Sequence, residues 1–245
     1  MARFVLIHGA WHGAWCWAPL VTRLRAAGHA VLAPDLPGHG ADAARWWRAS
    51  LGAYARTVLK AARELGGEVI AVGHSLGGIA MTEAAARDAS AFAGLVYVCA
   101  FAPLPGENLV ALATRDPTAG VPGAVQRGPL RTRFMAAQAP AVFYNACPPD
   151  VAADATARLI PQPNLPLLQR VSRATGPVPP RAYIECLRDR AITHPHQRWM
   201  RERAGIDRVL TLDTDHSPFI SATDELAAGL ETLAGEFALA RQTTA

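Results

Sequence analysis

The chain holds a single lysine, Lys60, among its 24 basic residues, and the arginines that make up the rest are scattered. No basic run of about five to eight residues occurs, so the formal charge of +4 gives no patch for nucleic acid or an anionic membrane, and neither partner is expected. Cysteine is scarce as well. Cys16, Cys99, Cys147 and Cys186 lie far apart, with no CxxC and no Cys/His metal spacing, which excludes a zinc cluster and a disulfide framework. Cys99 and Cys186 sit in apolar runs as small core residues, and all four are expected to be reduced thiols of a cytoplasmic protein.

Long hydrophobic runs are missing too. None reaches the ~18 apolar residues of a membrane span, and the apolar part of "MARFVLIHG" is too short for a secretory leader. There is no internal repeat, no low-complexity tract, no GK[ST] and no G-x-G-x-x-G, so no nucleotide or other cofactor is expected. What remains is a chain of 245 residues, 51% hydrophobic and 18% charged, able to bury one substantial core.

Short apolar runs of strand type alternate with longer runs of helical period. Strands are expected at 3–8, 30–35, 68–73, 94–100, 181–186 and 208–213. Between them, Pro19 opens a helix that stops at Gly28, and Ser50 caps one that ends at Gly66-Gly67. Further helices are expected near 76–87, 195–204 and 224–240. Such alternation implies right-handed crossovers and a mainly parallel sheet of about six strands with helices on both faces, the α/β class. The stretch 104–178 breaks the pattern: it is rich in proline, with two short helical patterns near 149–160 and 164–174 and no convincing strand. It lacks a self-contained core, so we expect a lid inserted between core segments 1–103 and 179–245, over the strand ends where open α/β sheets bind ligands.

Within this order one segment stands out. "GHSLGG" (73–78) places Ser75 between a strand and a helix in the G-x-S-x-G pattern of a nucleophile elbow. An ordinary turn needs glycine or asparagine but has no use for that serine. Chance alone gives about 0.04 such matches in a chain of this composition, so context must decide.

A serine hydroxyl needs a neighbouring base, and that base needs a third group to orient it. At such elbows the acid and then the histidine follow in the chain, each after a later strand. Of the histidines beyond Ser75, His194 and His196 flank Pro195 at a helix start, a common place for solvated side chains. His216 follows "RVLTLDTD", just past the last strand, and is the expected base. Asp189 lies in the loop after "RAYIEC" and is the expected acid. Glu185 falls inside that strand, and Asp213 and Asp215 are too near His216 in sequence. The oxyanion hole requires two backbone amides, expected from Leu76, next to the nucleophile, and from Ala10 in "HGAWHGAW". Candidate substrate-binding side chains are Trp11, Trp15, Phe101, Phe134, Phe143, Trp199 and Phe219.

Together "FVLIHGAWHGAWCW", "VGHSLGG", "YVCAFAP", "FYNAC", "YIECLRDRAITHPHQRWM" and "DTDHSPFIS" resemble the plant methylesterase and hydroxynitrile lyase branch of the α/β-hydrolase superfamily, over nearly the whole chain and most weakly in the lid. The Arg-rich, Lys-poor composition suggests a bacterial esterase member of that branch. The resemblance implies an α/β-hydrolase fold and a triad of Ser75, Asp189 and His216, the residues also reached from chain order. The lyases carry threonine after the first motif's histidine and lysine after the catalytic one. Here those positions are Gly9 and Ser217, so no cation is present to stabilise departing cyanide, and a lyase is disfavoured.

The expected activity is therefore a serine esterase acting, through an acyl-enzyme, on a small, largely apolar ester, aromatic ones included. A C–C bond hydrolase or polyketide-tailoring enzyme would use the same triad. A small-molecule receptor with weak hydrolysis belongs to a different class, and an intact triad argues against it. The oligomeric state is open, with a homodimer as one candidate.

Overall fold

Phe4 and Leu6 turn to one face of the first strand, β1 (Arg3–Ile7), while Val5 and Ile7 turn to the other; all four are fully buried. An unbroken apolar run has this use only in a strand covered on both sides. The computed structural model describes residues 1–174 and 176–242. It contains the expected six-stranded sheet, with β2 (Ala30–Leu32), β3 (Val69–His74), β4 (Gly94–Val98), β8 (Arg181–Cys186) and β9 (Arg208–Leu212) in the order β2-β1-β3-β4-β8-β9. Every neighbouring pair is parallel. The second strand is shorter than 30–35, because Pro34 has no N–H to continue a ladder.

Helices α1 (Ala18–Ala26) and α10 (Thr223–Gln242) cover one face, where Leu20, Leu24, Leu230 and Phe237 join Phe4 and Leu6. Helices α2 (Leu51–Leu65), α3 (Gly77–Arg87) and α8 (His194–Arg203) cover the other, packing Tyr54, Ile79 and Met200 with Val5 and Ile7. Each fully buried large apolar side chain contributes about 1.5–3 kcal/mol. Ser50 caps α2 by accepting from the Ala53 amide at 3.1 Å, and Gly66 closes that helix at φ +62°. No helix among the described residues is long and apolar enough to cross a membrane, and all four cysteines are unpaired.

Among the described residues between β4 and β8 are four short α-helices, α4 (Leu109–Ala113), α5 (Ala139–Phe143), α6 (Pro149–Ala157) and α7 (Leu165–Leu168). With them is a small antiparallel sheet of β5 (Val125–Arg127), β6 (Arg131–Phe134) and β7 (Gln162–Pro163). That sheet is a departure from the sequence reading. Its strands are very short, β5 and β6 are rich in arginine and β7 is Gln-Pro, so they carry no apolar alternation. The helix expected over 164–174 is confined to Leu165–Leu168, because Gln169 turns extended and its Oε1 accepts from the Leu51 amide at 2.7 Å. Further bonds fasten the segment to the core. The Ser172 amide donates to Glu83 at 2.8 Å, and His39 Nε2 donates to Gln162 Oε1 at 3.0 Å. The short helix α9 (Pro218–Ser221) precedes α10.

Candidate active site

The strand order reverses at β1, which has β2 on one side and β3 on the other, and in open α/β sheets the crevice at such a reversal binds ligands. At the ends of these strands stand His8-Gly9-Ala10 and His74-Ser75. Ser75 has φ +52°, a left-handed conformation that L side chains rarely adopt. The strain is held in place by packing that only glycine allows. A Cβ on Gly77 would lie 2.3 Å from the Ile7 carbonyl oxygen, and one on Gly73 would lie 2.7 Å from Gly77. Ser75 is thus presented at the start of α3.

His216 enters from the loop after β9, and its Nδ1 lies 2.7 Å from Asp189 Oδ2 in the loop after β8. Both side chains are buried. The amides of Ala191 and Ile192 donate to Asp189 Oδ1 at 2.7 and 2.9 Å, and Gln197 Nε2 donates to Oδ2 at 3.0 Å. The carboxylate is therefore fixed on both oxygens. On the other side, His74 Nε2 donates to the His216 carbonyl at 2.7 Å. Burial holds His74 well below the usual histidine range, so its neutral ring clamps the loop without adding charge.

The competing acids are occupied elsewhere. Asp215 is fully buried and accepts from the amides of Ala146 (2.7 Å) and Ser217 (2.9 Å). Glu185 pairs with Arg201 at 2.6 Å and His194 at 2.8 Å.

The loop after β1 is set by a relay through His12. Its Nδ1 lies 2.8 Å from the Ala10 carbonyl and its Nε2 2.8 Å from the Tyr144 hydroxyl. A neutral ring satisfies both by donating to the carbonyl and accepting from the phenol. Burial pushes His12 down to about 4, which keeps the ring neutral at pH 7. Trp11 has φ +60°, and its carbonyl accepts from the Ile160 amide at 2.9 Å, which ties this loop to the inserted segment. A Cβ at Gly9 would stand 2.8 Å from His74 Nδ1 and 3.0 Å from Ser75 Cβ, so a threonine there would require the elbow to move.

Ala10, Ser75 and His216 open into one narrow, apolar inner cavity of about 60 Å³. It adjoins an outer chamber of about 530 Å³ bounded by the inserted segment; Trp11, Leu109, Val121 and Leu167 line both. Of the aromatic candidates, Trp11, Phe101 and Phe143 line the inner cavity. The other four line neither chamber. Trp15 stacks on His12 and lies under Arg158, and Phe134 packs behind Trp11 and Phe143. The guanidinium groups of Arg115 and Arg203 both lie over the Trp199 ring. Phe219 packs against Trp17 and His74, in the core on the far face of the sheet.

His196 is not a solvated helix-end residue: it is buried and lines the inner cavity with Asp116. Gln197, His12 and Tyr144 lie within the quoted stretches, but residue type gave them no role there, and only their three-dimensional partners reveal one. His74, Cys99 and His216 bring potential metal-ligand atoms within 4.8 Å of one another. Each of the two rings already bonds within the protein through one nitrogen, and burial drives the Cys99 thiol well above its ordinary value, which disfavours thiolate. The cluster is better described as packing around the His216 loop.

The pattern of an alpha/beta hydrolase family matches residues 4–229. Methyl jasmonate esterase 1 of Vitis vinifera is 32% identical over 250 residues, covering 94% of this chain and 96% of its own. The carbendazim hydrolyzing esterase of Nocardioides sp. (strain SG-4G) is 46% identical over 115 residues, 46% of this chain and 47% of that one. Among solved structures, a pyrethroid hydrolase from Sphingobium faniae JZ-2 superposes with a TM-score of 0.83 at 27% identity, covering 96% of this chain and 97% of the other. A strained serine elbow at the reversal of a parallel sheet, matched over nearly the full length to such relatives, places this chain in the alpha/beta hydrolase family, with plant methylesterase-type enzymes among its relatives.

Proposed function

We propose that the protein is a serine esterase that cleaves small, largely apolar carboxylic esters through an acyl-enzyme. The observation that carries this reading is the 2.7 Å bond from His216 Nδ1 to Asp189 Oδ2, made by a ring that lines the same cavity as Ser75.

Asp189 holds the His216 tautomer whose Nε2 is free to take the Ser75 proton. Ser75 Oγ attacks the ester carbonyl, and the oxyanion is received by the amides of Ala10 and Leu76, donors of a kind worth about 2.7–4 kcal/mol each. His216 returns the proton to the leaving alkoxide, and water, activated by the same ring, then releases the acid. The segment over 104–178 acts as a lid whose Leu109, Val121 and Leu167 keep bulk water from the carbonyl. The apolar lining supports an uncharged substrate. No lysine or arginine lines the inner cavity among the described residues, and Lys60 borders a separate surface depression with Pro37 and Arg48, which supports hydrolysis over cyanohydrin cleavage.

The test is turnover of p-nitrophenyl esters and aromatic methyl esters by wild type and Ser75→Ala, with fluorophosphonate labelling in parallel. Turnover and labelling should both vanish in the variant. Undiminished hydrolysis by Ser75→Ala would refute the assignment.

A further inference from the structure

The inner cavity has one polar corner that the triad does not use. His196, from the first turn of α8, is buried, lines the cavity, and its Nε2 has no hydrogen-bond partner. Leaving a buried ring nitrogen unpaired is unfavourable, and native proteins keep such atoms where a ligand or another group completes them. Asp116 lines the same wall and is also buried. Its Oδ2 accepts from the Thr193 amide at 2.8 Å; its Oδ1 accepts from the hydroxyls of Thr193 at 3.1 Å and Thr118 at 3.2 Å. A carboxylate has about four acceptor sites, so one remains.

The chemistry of the corner follows from where protons can reside. Burial lowers His196 below its ordinary value despite Asp116 nearby, so the ring is neutral and carries one N–H and one lone pair. The Leu112 carbonyl near the ring favours an N–H on its side, and with Nε2 unpaired the tautomer that satisfies this carries the proton on Nδ1 and leaves Nε2 as an acceptor. Asp116 also offers only lone pairs. Trp11 Nε1, the other unpaired buried nitrogen in this wall, is a donor and makes no demand for a donor from the ligand.

We propose that His196 and Asp116 form an acceptor pair that selects esters whose apolar portion carries an O–H or N–H group. The corner discriminates among substrates, and Ser75 performs the same chemistry on all of them. A donor placed here gains a neutral hydrogen bond that its methylated analogue cannot make, and the analogue also leaves the buried acceptors unpaired. This inference rests on the esterase reading only for the ester group itself.

The test is therefore a binding measurement that needs no turnover. Ser75→Ala is titrated calorimetrically with methyl 4-hydroxyphenylacetate and its O-methyl ether, and with methyl 4-acetamidobenzoate and its N-methyl analogue. In at least one pair the donor-bearing ester should bind roughly three- to tenfold more tightly, the value of one hydrogen bond. Adding His196→Phe should abolish that preference, while His196→Gln, which keeps an acceptor oxygen, should retain part of it. Thermal melts of both variants establish that they are folded. Equal affinities within both pairs, no binding of any of the four, or a preference that survives His196→Phe would overturn the inference. A preference retained in Ser75→Ala, with no ester hydrolysed by wild type, would uphold the acceptor corner and sink the esterase reading alone.

Discussion

Gln197 Nε2 lies 3.0 Å from Asp189 Oδ2, the same oxygen that meets His216 Nδ1 at 2.7 Å. The Gln197 side chain is fully buried and is anchored in turn by the Ile192 carbonyl at 2.8 Å and the Cys186 amide at 3.0 Å. It thus holds the Asp189 carboxylate without lining the cavity. Gln197→Leu removes a hydrogen bond to a charged group, worth about 1.5–3 kcal/mol, so the rate should fall roughly tenfold to a hundredfold. The loss should appear in kcat with KM little changed. Steady-state kinetics on a p-nitrophenyl ester decides it, and an unaltered kcat would remove Gln197 from the machinery.

Asp189→Asn keeps an oxygen for the Ala191 and Ile192 amides but turns an NH₂ toward Gln197 and His216, two groups that also donate. The imidazole is then driven to the wrong tautomer. The expected loss in kcat is about 10³–10⁴-fold, by the behaviour of other triads, with fluorophosphonate labelling slowed but still at Ser75. A variant within about tenfold of wild type would point to another acid.

Gly77→Ala tests the elbow by sterics alone. Its Cβ would meet the Ile7 carbonyl oxygen, a backbone atom of the central strand that cannot swing aside. The cost should be about 2 kcal/mol or more, which lowers Tm by roughly 4–8 °C in a domain of this size. Differential scanning calorimetry provides the check. A Tm equal to wild type would mean that the strand and helix are not in such close contact.

Acid should destabilise the fold earlier than its carboxylates alone require. His12 is held down at about 4 in the folded protein against an ordinary value of 6.5, and burial also depresses His8 and His74. Between those values the unfolded chain binds protons that the folded one refuses, so stability is full above pH 6.5 and falls as pH drops toward 4. His12 alone accounts for about 3 kcal/mol over that interval. Tm should begin to decline just below pH 6.5, and His12→Gln should soften the slope. A flat Tm from pH 7 to pH 5 would contradict buried neutral histidines.

The sheet and the elbow were legible because their signals are local. Strands covered on both faces are unbroken apolar runs, helices repeat their buried positions, and a glycine-flanked serine at a strand-to-helix turn has little use except as a nucleophile. Edges were less legible. Pro34 trims the second strand, and the small sheet of the inserted segment is built from Val125–Arg127 and Arg131–Phe134, whose exposed arginines conceal its pairing.

Sequence alone determined the parallel α/β architecture, the placing of Ser75, Asp189 and His216 each just after a strand, and the glycines that let strand and helix approach, since each is written in residue type and spacing along the chain. Only tertiary structure decided the cavity wall. Trp15, Phe134, Trp199 and Phe219 were as plausible as Trp11, Phe101 and Phe143 while they were simply aromatic residues. Which rings face the serine depends on contacts between segments far apart in the chain, as when Ile160 ties down Trp11 or Tyr144 reaches His12. The same long-range packing turned His196 from an apparent helix-end residue into a buried group facing the inner cavity, because the cavity wall it joins is assembled from both the core and the inserted segment.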